Sequence, residues 1–125
     1  MTTSIDIVEL NNRLKGSEPI TLLDVRRKAD ADSDPRCIAG AVYSNPEKMD
    51  AWIKELPVGS RAVVYCVKGG SVSQSVTERL RKEGIEAVFL EGGLKAWTEG
   101  GHPVVNAPNE ATYRIDNADN DLLRR

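Results

Sequence analysis

The strongest constraint on the fold comes from residues 62–90, in which two apolar runs flank a helical segment. The first run, Ala62-Val-Val-Tyr-Cys66, is continuously apolar and rich in β-branched residues, as is typical of a strand buried on both faces of a sheet. The second run is Ala87-Val-Phe-Leu90. Between them, an apolar stripe at helical spacing is formed by Val72, Val76 and Leu80. Strand, helix and strand in this order predict a βαβ unit, and hence a parallel sheet.

Shorter signals predict the elements before this unit. Ser4 is expected to cap a first helix that ends near Gly16. The apolar stripe of that helix is formed by Ile7, Leu10 and Leu14. Residues 20–25 are predicted to form a buried strand, and the polar, charged residues 26–36 a surface excursion.

The chain then returns to the interior at residues 38–43, where a short strand is predicted. Asn45-Pro46 is typical of a helix start, with proline at the first helical position. The apolar face of this second helix is formed by Met49, Trp52, Ile53 and Leu56. A final short helix is predicted at residues 94–98, after the turn made by Gly92 and Gly93.

The 125 residues suffice for one domain with a single hydrophobic core, expected at 1–105, followed by a polar tail at 106–125. With 40% hydrophobic and 29% charged residues, the composition is that of a globular protein. A net charge of −2 argues against nucleic acid as a partner. No apolar run reaches the roughly 20 residues of a membrane span. The first residues lack a basic segment followed by an apolar stretch, so we expect a cytoplasmic protein that contacts no membrane.

The side chains available for thiol or metal chemistry are Cys37, Cys66 and His102. Without a secretory signal, both cysteines are expected to be thiols rather than a disulfide. No Cys-x-x-Cys or His-x-x-x-His spacing organises a metal site, and the sequence predicts neither a metal nor a cofactor. Cys37 precedes no glycine loop or helix start, which favours packing in the core. His102 lies in a Gly-Gly-His-Pro turn, which favours a surface position over a role as a base.

Cys66 stands where the predicted central strand ends and a helix follows. Open parallel sheets bind ligands at the carboxyl ends of their strands. Gly69 and Gly70 allow the loop to curl with its amide N–H groups inward, and these groups and the positive end of the helix dipole stabilise an anion. Lys68 adds a positive charge, and Ser71 a hydroxyl or a helix cap. The alternative is an inert buried cysteine, but the glycine loop favours a reactive thiol.

Four blocks of the chain resemble the rhodanese family. Residues 22–26 (LLDVR) are similar to that family's LxDVR strand, and residues 37–41 (CIAGA) to its HIPGA segment. Residues 63–71 (VVYCVKGGS) resemble its strand and active loop. Residues 90–97 (LEGGLKAW), followed by GHPV at 101–104, resemble its closing signature. The blocks occur in the family's order, which makes the resemblance specific.

The resemblance implies a single-domain α/β fold with an open central parallel sheet flanked by helices. It also implies a sulfurtransferase in which Cys66 is the catalytic nucleophile. Cys66 would take the outer sulfur of a small donor such as thiosulfate, hold it as a persulfide and pass it to a thiol or to cyanide. A protein is the alternative donor or acceptor. The substrate-binding loop implied by the resemblance comprises Val67, Lys68, Gly69, Gly70, Ser71, Val72 and Ser73.

Two features depart from the family's pattern. Val67 replaces the arginine of the Cys-Arg-Lys-Gly-x-Thr loop of thiosulfate-using members, which removes a positive charge. Leu80 lies one residue farther from the cysteine than in many single-domain members, so Ser73 best matches their helix-starting serine and the loop is expected to be longer.

Two alternatives to small-molecule sulfur transfer remain. Longer loops occur in related arsenate reductases and cell-cycle phosphatases, but Val72 stands where those relatives have the arginine of Cys-x5-Arg. The other alternative is a non-enzymatic sulfur-relay or regulatory module that a protein donor supplies.

Overall fold

The structure is a computed structural model that describes residues 4–16 and 19–106. Its strands are β1 (Ser4–Ile5), β2 (Thr21–Asp24), β3 (Arg36–Ile38), β4 (Val42–Tyr43), β5 (Arg61–Tyr65), β6 (Glu86–Leu90) and β7 (Val104–Asn106). Its α-helices are α1 (Ile7–Lys15), α2 (Lys28–Ser33), α3 (Met49–Trp52), α4 (Ser71–Lys82) and α5 (Gly93–Glu99). A five-stranded parallel sheet has the order β1-β6-β5-β2-β4, and β3 pairs with β7 in a separate antiparallel ribbon.

The predicted βαβ unit and the α/β fold are confirmed. β5 is the central strand, with β6 on one side and β2 on the other, and α4 connects β5 to β6. Val63 of β5 is in register with Leu22 of β2 and Val88 of β6. Helices cover both faces of the sheet, which explains why β5 is apolar without alternation.

Alternation along β5 divides the core into two layers. Val64 and Cys66 point into a layer that they share with residues of α3 and α4. Val63 and Tyr65 point into the opposite layer, which contains residues of α1 and α5. The side chain of Cys66 therefore lies on the α3/α4 face of the sheet.

The first helix begins later than the sequence predicts. Ser4 and Ile5 pair with Phe89 and Leu90 of β6, so Ser4 belongs to a strand and does not cap α1. Asp6 takes this role, and its carboxylate accepts a 2.8 Å hydrogen bond from the backbone N–H of Glu9.

The stripe of α1 is confirmed only in part. Leu10 is fully buried, but Leu14 is exposed, so the last turn of α1 contributes little to the core. Gly16 ends the helix as predicted.

The apolar face predicted after Asn45-Pro46 is confirmed, since all four of its residues are buried. The segment is not one continuous α-helix. A 3₁₀ turn (Pro46–Lys48) precedes α3 and a second one (Ile53–Glu55) follows it. Asn45 joins this segment to the core, because its backbone carbonyl accepts a 2.8 Å hydrogen bond from the indole N–H of Trp52.

The predicted surface excursion is wrong for its first residue. Arg26 is 1% exposed, and its guanidinium donates from Nε and Nη2 to both carboxylate oxygens of Asp24, at 2.8–3.1 Å. Its Nη1 also donates to the backbone carbonyl of Asp34 at 2.9 Å. Residues Lys28–Ser33 of the segment form α2, which has no buried residue, as expected of a surface element.

The end of the domain contains one strand that the sequence did not predict. Residues Val104–Asn106 form β7, which the sequence did not predict, and Asn106 pairs with Arg36 instead of opening the tail. Residues 107–125, the rest of the predicted tail, lie outside the described residues. Within the described residues, no helix has the length and apolar character needed to cross a membrane.

We expect Arg26→Met to lower the free energy of unfolding by about 3–5 kcal/mol, because it leaves the buried Asp24 carboxylate without its charged partner. Arg36→Met is the matched control. Arg36 makes a similar two-point ion pair with Asp34, but at the surface, so its loss should cost much less. Urea denaturation at pH 7 measures both losses. Equal losses would contradict the structural importance of the buried pair.

Candidate active site

Cys66 follows the last residue of the central strand, at the carboxyl end of the sheet. It is 7% exposed, so most of the residue is shielded from solvent. Residues 67–73, which we call the active loop, follow it and include the first three residues of α4. The predicted position of the cysteine, between a strand end and a helix start, is confirmed.

The hydroxyl of Ser73 contacts the cysteine directly. Its Oγ lies 3.3 Å from the Cys66 Sγ, from which it accepts a hydrogen bond, and it donates to the Gly70 carbonyl at 3.2 Å. Ser73 is fully buried in the first turn of α4. Because a hydroxyl hydrogen rotates to suit its surroundings, the same group can donate to the sulfur when the thiol is ionised.

The other polar side chains of the active loop point elsewhere. Lys68 and Ser71 are exposed. Gly70 is the residue at the N-cap of α4, and the helix begins at Ser71. The predicted capping by Ser71 is therefore wrong, and Ser73, which best matches the family's helix-starting serine, is the third residue of α4.

The N-terminus of α5 holds the backbone of the active loop. The amide of Leu94 donates to the Cys66 carbonyl, and the amide of Lys95 to the Val67 carbonyl, both at 2.9 Å. In a trans peptide the N–H group points opposite to the C=O group. The amides of Val67 and Lys68 therefore point away from the N-terminus of α5.

The amides of the active loop remain available to a ligand. Among the described residues, no backbone N–H from Val67 to Ser73 donates to a backbone carbonyl, and the first such bond of α4 is from Gln74 to Gly70. Buried or converging amides without partners are costly unless water or an anion accepts from them. Together with the N-terminus of the 12-residue α4, they form a cradle suited to negative charge.

Two glycines allow the active loop to lie against the β6–α5 turn. Gly69 has φ of +74°, and a Cβ there would lie 2.8 Å from the Gly92 nitrogen and 2.9 Å from the Leu90 oxygen. Gly93 has φ of +60°, and its Cβ would lie 2.5 Å from the Cys66 oxygen. Only glycine fits both positions without movement of the backbone. Gly70 is different, because its φ is −88° and no atom lies within 4 Å of a Cβ there.

A buried polar network lies beneath the site. The Tyr65 hydroxyl donates to Asp24 Oδ2 at 3.3 Å and accepts from the backbone N–H of Ile38 at 3.1 Å. Burial, and then the Asp24 carboxylate, raise the pKa of Tyr65 well above its ordinary value, so the hydroxyl keeps its proton. The network fixes the strand end that carries Cys66.

The sequence analysis did not predict that Asp24, Arg26 and Tyr65 form a buried network beneath the site. It also did not predict that Gly93 allows the turn before α5 to lie against the active loop. The signals were present in the blocks LLDVR and LEGGLKAW. They were interpreted as marks of the family, and not as contacts beneath the active loop.

The other two candidate residues, Cys37 and His102, are buried and partly buried, respectively. Cys37 is fully buried in β3, consistent with packing, and neither cysteine forms a disulfide within the described residues. His102 is only partly exposed, because its ring stacks on Trp97 with a centroid distance of 4.5 Å.

Gly69→Ala should lower the free energy of unfolding by about 1–3 kcal/mol, since alanine is strained at this φ and meets two backbone atoms. Gly70→Ala is the control in the same loop and should be neutral, or stabilising by up to about 1 kcal/mol. Thermal unfolding measures both effects. The rate at which iodoacetamide alkylates Cys66 should change in the Gly69 variant alone. A stability loss of the same size in both variants would contradict the described packing of the loop.

Comparisons with known proteins agree with this geometry. A family model of the Rhodanese-like domain matches residues 6–100. A sulfurtransferase of Allochromatium vinosum is 30% identical over 108 residues, which are 84% of this chain and 96% of that protein. A tRNA 2-selenouridine synthase of Shewanella sediminis is 30% identical over 70 residues, and the match spans 55% of this chain but only 19% of that enzyme's length.

A solved structure gives the same result. The crystal structure of a rhodanese-related protein from Thermoplasma volcanium has a TM-score of 0.70 at 29% identity, covering 82% of this chain and 96% of that one. The strand order, the cysteine at the strand end and these matches lead to one assignment: the chain belongs to the Rhodanese-like domain family.

Proposed function

We propose that the protein is a sulfurtransferase that carries sulfane sulfur as a persulfide on Cys66. One observation carries this proposal: Cys66 lies in a loop whose amides, from Val67 to Ser73, donate to no carbonyl of the described backbone. Such a cradle stabilises both the thiolate that attacks a donor and the anionic persulfide that results. The sulfurtransferase that matches over nearly its full length supports the same reaction class.

With thiosulfate as the donor, the reaction has two half-reactions. The Cys66 thiolate attacks the outer sulfur, a new Sγ–S bond forms, the S–S bond of thiosulfate breaks, and sulfite leaves with the electron pair. The persulfide then gives its outer sulfur to a thiol or to cyanide, and Cys66 returns to the thiolate. A protein donor or acceptor would use the same two steps.

Each part of the site has a task in this scheme. The active-loop amides and the N-terminus of α4 offset negative charge on the sulfur. Ser73 follows the change of ionisation by turning its hydroxyl. Lys68, exposed in the active loop, attracts an anionic donor.

A phosphatase or arsenate reductase is not favoured. Val72 is a partly buried apolar residue with no hydrogen-bond donor in its side chain. Three oxygens of a phosphoryl or arsenate group would then depend on backbone amides alone, without a bidentate arginine. An aryl phosphate and arsenate with a thiol reductant, assayed beside thiosulfate, test this exclusion.

Incubation with thiosulfate should add the mass of one sulfur atom to the wild-type protein and to Cys37→Ala, but not to Cys66→Ser. Cys66 has the cradle, whereas Cys37 is buried without access. Intact mass spectrometry before and after treatment measures the gain, and cyanide should remove it. A persulfide mapped to Cys37 would refute the assignment. Wild-type protein that stays unloaded, while Cys66 still reacts with iodoacetamide, would favour a module supplied by a protein donor.

Lys68→Ala should raise the KM for thiosulfate about 2- to 5-fold at low salt, as expected for loss of one exposed charge worth roughly 0.5–1 kcal/mol. The effect should shrink at high ionic strength, because salt screens exposed charges. Lys82→Ala is the control, since Lys82 is exposed at the far end of α4. Initial rates of sulfite release at two salt concentrations test this. An effect that is independent of salt would mean that Lys68 acts by another route.

A further inference from the structure

A groove beside the active loop lies on the same face of the sheet as the Cys66 side chain. It has a volume of about 380 Å³ and runs between α3 and α4. Its floor is apolar and is formed by Met49, Val72 and Val76. Met49 and Val76 belong to the same buried cluster as Cys66, and Val72 packs against that cluster.

A second groove of about 390 Å³ touches the active loop at Val67, but lies on the other side. It is lined by Leu94 of α5, which packs in the opposite layer of the core. The outer sulfur of a persulfide lies about 2 Å from Sγ, and Sγ lies in the core layer that the first groove borders. The first groove is therefore the better position for a molecule that reacts with that sulfur.

The charges around this first groove are unequal. Arg79 lines it, but Asp50 and Glu83 already hold its guanidinium, at 2.9 and 3.4 Å. Arg27 also lines it, is exposed, and forms no ion pair with any described residue. Glu47 contributes one negative charge. Arg27 is thus the cation of the groove that is available to a ligand.

We propose that this groove binds the sulfur acceptor, and that the acceptor is a small organic thiol bearing a carboxylate, which Arg27 recognises. The inference rests on the proposed sulfur transfer and adds its acceptor class. An apolar floor with one available cation matches a short carbon chain ending in a carboxylate. A volume of about 380 Å³ suits a small molecule rather than a folded partner.

The transfer step is balanced without a further reactant. The acceptor thiol gives its proton to the anionic persulfide of Cys66, and the resulting acceptor thiolate attacks the outer sulfur. A new S–S bond forms on the acceptor, the Sγ–S bond breaks, and its electron pair stays on Cys66 as a thiolate. The products are that thiolate and the acceptor's persulfide, which carries the proton. Arg27 does not touch the reacting sulfur atoms, so its effect is on binding of the acceptor.

The test isolates this second half-reaction. Protein loaded with thiosulfate is desalted, checked by mass and mixed with 2-mercaptoethanol, 3-mercaptopropionate or mercaptosuccinate, which carry no, one or two carboxylates. Comparing each variant with the wild type for the same acceptor removes differences in intrinsic thiol reactivity. Arg27→Gln should slow discharge by mercaptosuccinate about 3- to 10-fold and by 3-mercaptopropionate less, and should leave 2-mercaptoethanol within about twofold.

Three further variants make the result specific. Arg27→Lys should keep most of the preference for carboxylates, because it keeps the charge. Glu47→Gln should speed discharge by mercaptosuccinate, because it removes a like charge. Lys28→Gln is the matched control, since Lys28 is adjacent and exposed but pairs with Asp32 and does not line the groove. All three should leave 2-mercaptoethanol unchanged.

The outcomes separate the two proposals. Equal slowing of all three thiols in Arg27→Gln, no slowing, or the same slowing in Lys28→Gln overturns the acceptor groove. If cyanide still discharges the loaded protein in those cases, the proposed sulfur transfer stands. If Cys66 loads neither with thiosulfate nor with a polysulfide, both proposals are overturned.

Discussion

The architecture of the site depends on the buried ion pair between Asp24 and Arg26. Burying two charges is unfavourable unless their geometry satisfies both groups. Here the carboxylate accepts from the side chain and the backbone N–H of Arg26, and also from the Tyr65 hydroxyl. The remaining guanidinium nitrogen donates to the Asp34 carbonyl, which anchors the chain that leads into β3. One pair of charges thus organises the polar ends of several strands at the edge where Cys66 lies.

The use of backbone hydrogen bonds explains why the active loop is suited to an anion. The amides at the start of α5 donate hydrogen bonds to the carbonyls of Cys66 and Val67. The amides of the active loop, which includes the start of α4, donate to no backbone carbonyl among the described residues. The N-terminus of α5 therefore fixes the loop, whereas the amides at the N-terminus of α4 donate to no backbone carbonyl in the part of the chain that the structure describes. This division requires close approach of two turns, which explains the positive φ and the missing Cβ at Gly69 and Gly93. The packing of the active loop against the β6–α5 turn therefore fixes both the shape of the loop and which of its amides have no backbone acceptor.

The features that sequence patterns predicted are those set by local periodicity. The apolar runs of β5 and β6, the stripe of α4 and the buried face around Trp52 reflect spacing within one segment, so they could be predicted. The features that were missed depend on distant partners. Ser4 becomes a strand residue because β6 offers it an edge, and β7 exists because β3 does. Arg26 appears as a surface charge in the sequence and is buried only because Asp24 and the Asp34 carbonyl receive it.

At the site, the sequence predicted the position of Cys66 but not which hydroxyl would contact it. Two serines in the active loop have the same chemistry, and the start of the helix decides between them. With α4 beginning at Ser71, that residue is exposed and Ser73 is turned inward to Cys66. This placement suits the proposed chemistry in a specific way. A hydroxyl can accept from a thiol and donate to a thiolate or a persulfide without moving its oxygen, whereas a fixed charge would favour only one of these states. A carrier that alternates between thiolate and persulfide needs a cradle that tolerates both. Backbone amides with one rotatable hydroxyl satisfy this need better than an arginine, which would bind the oxygens of a larger anion.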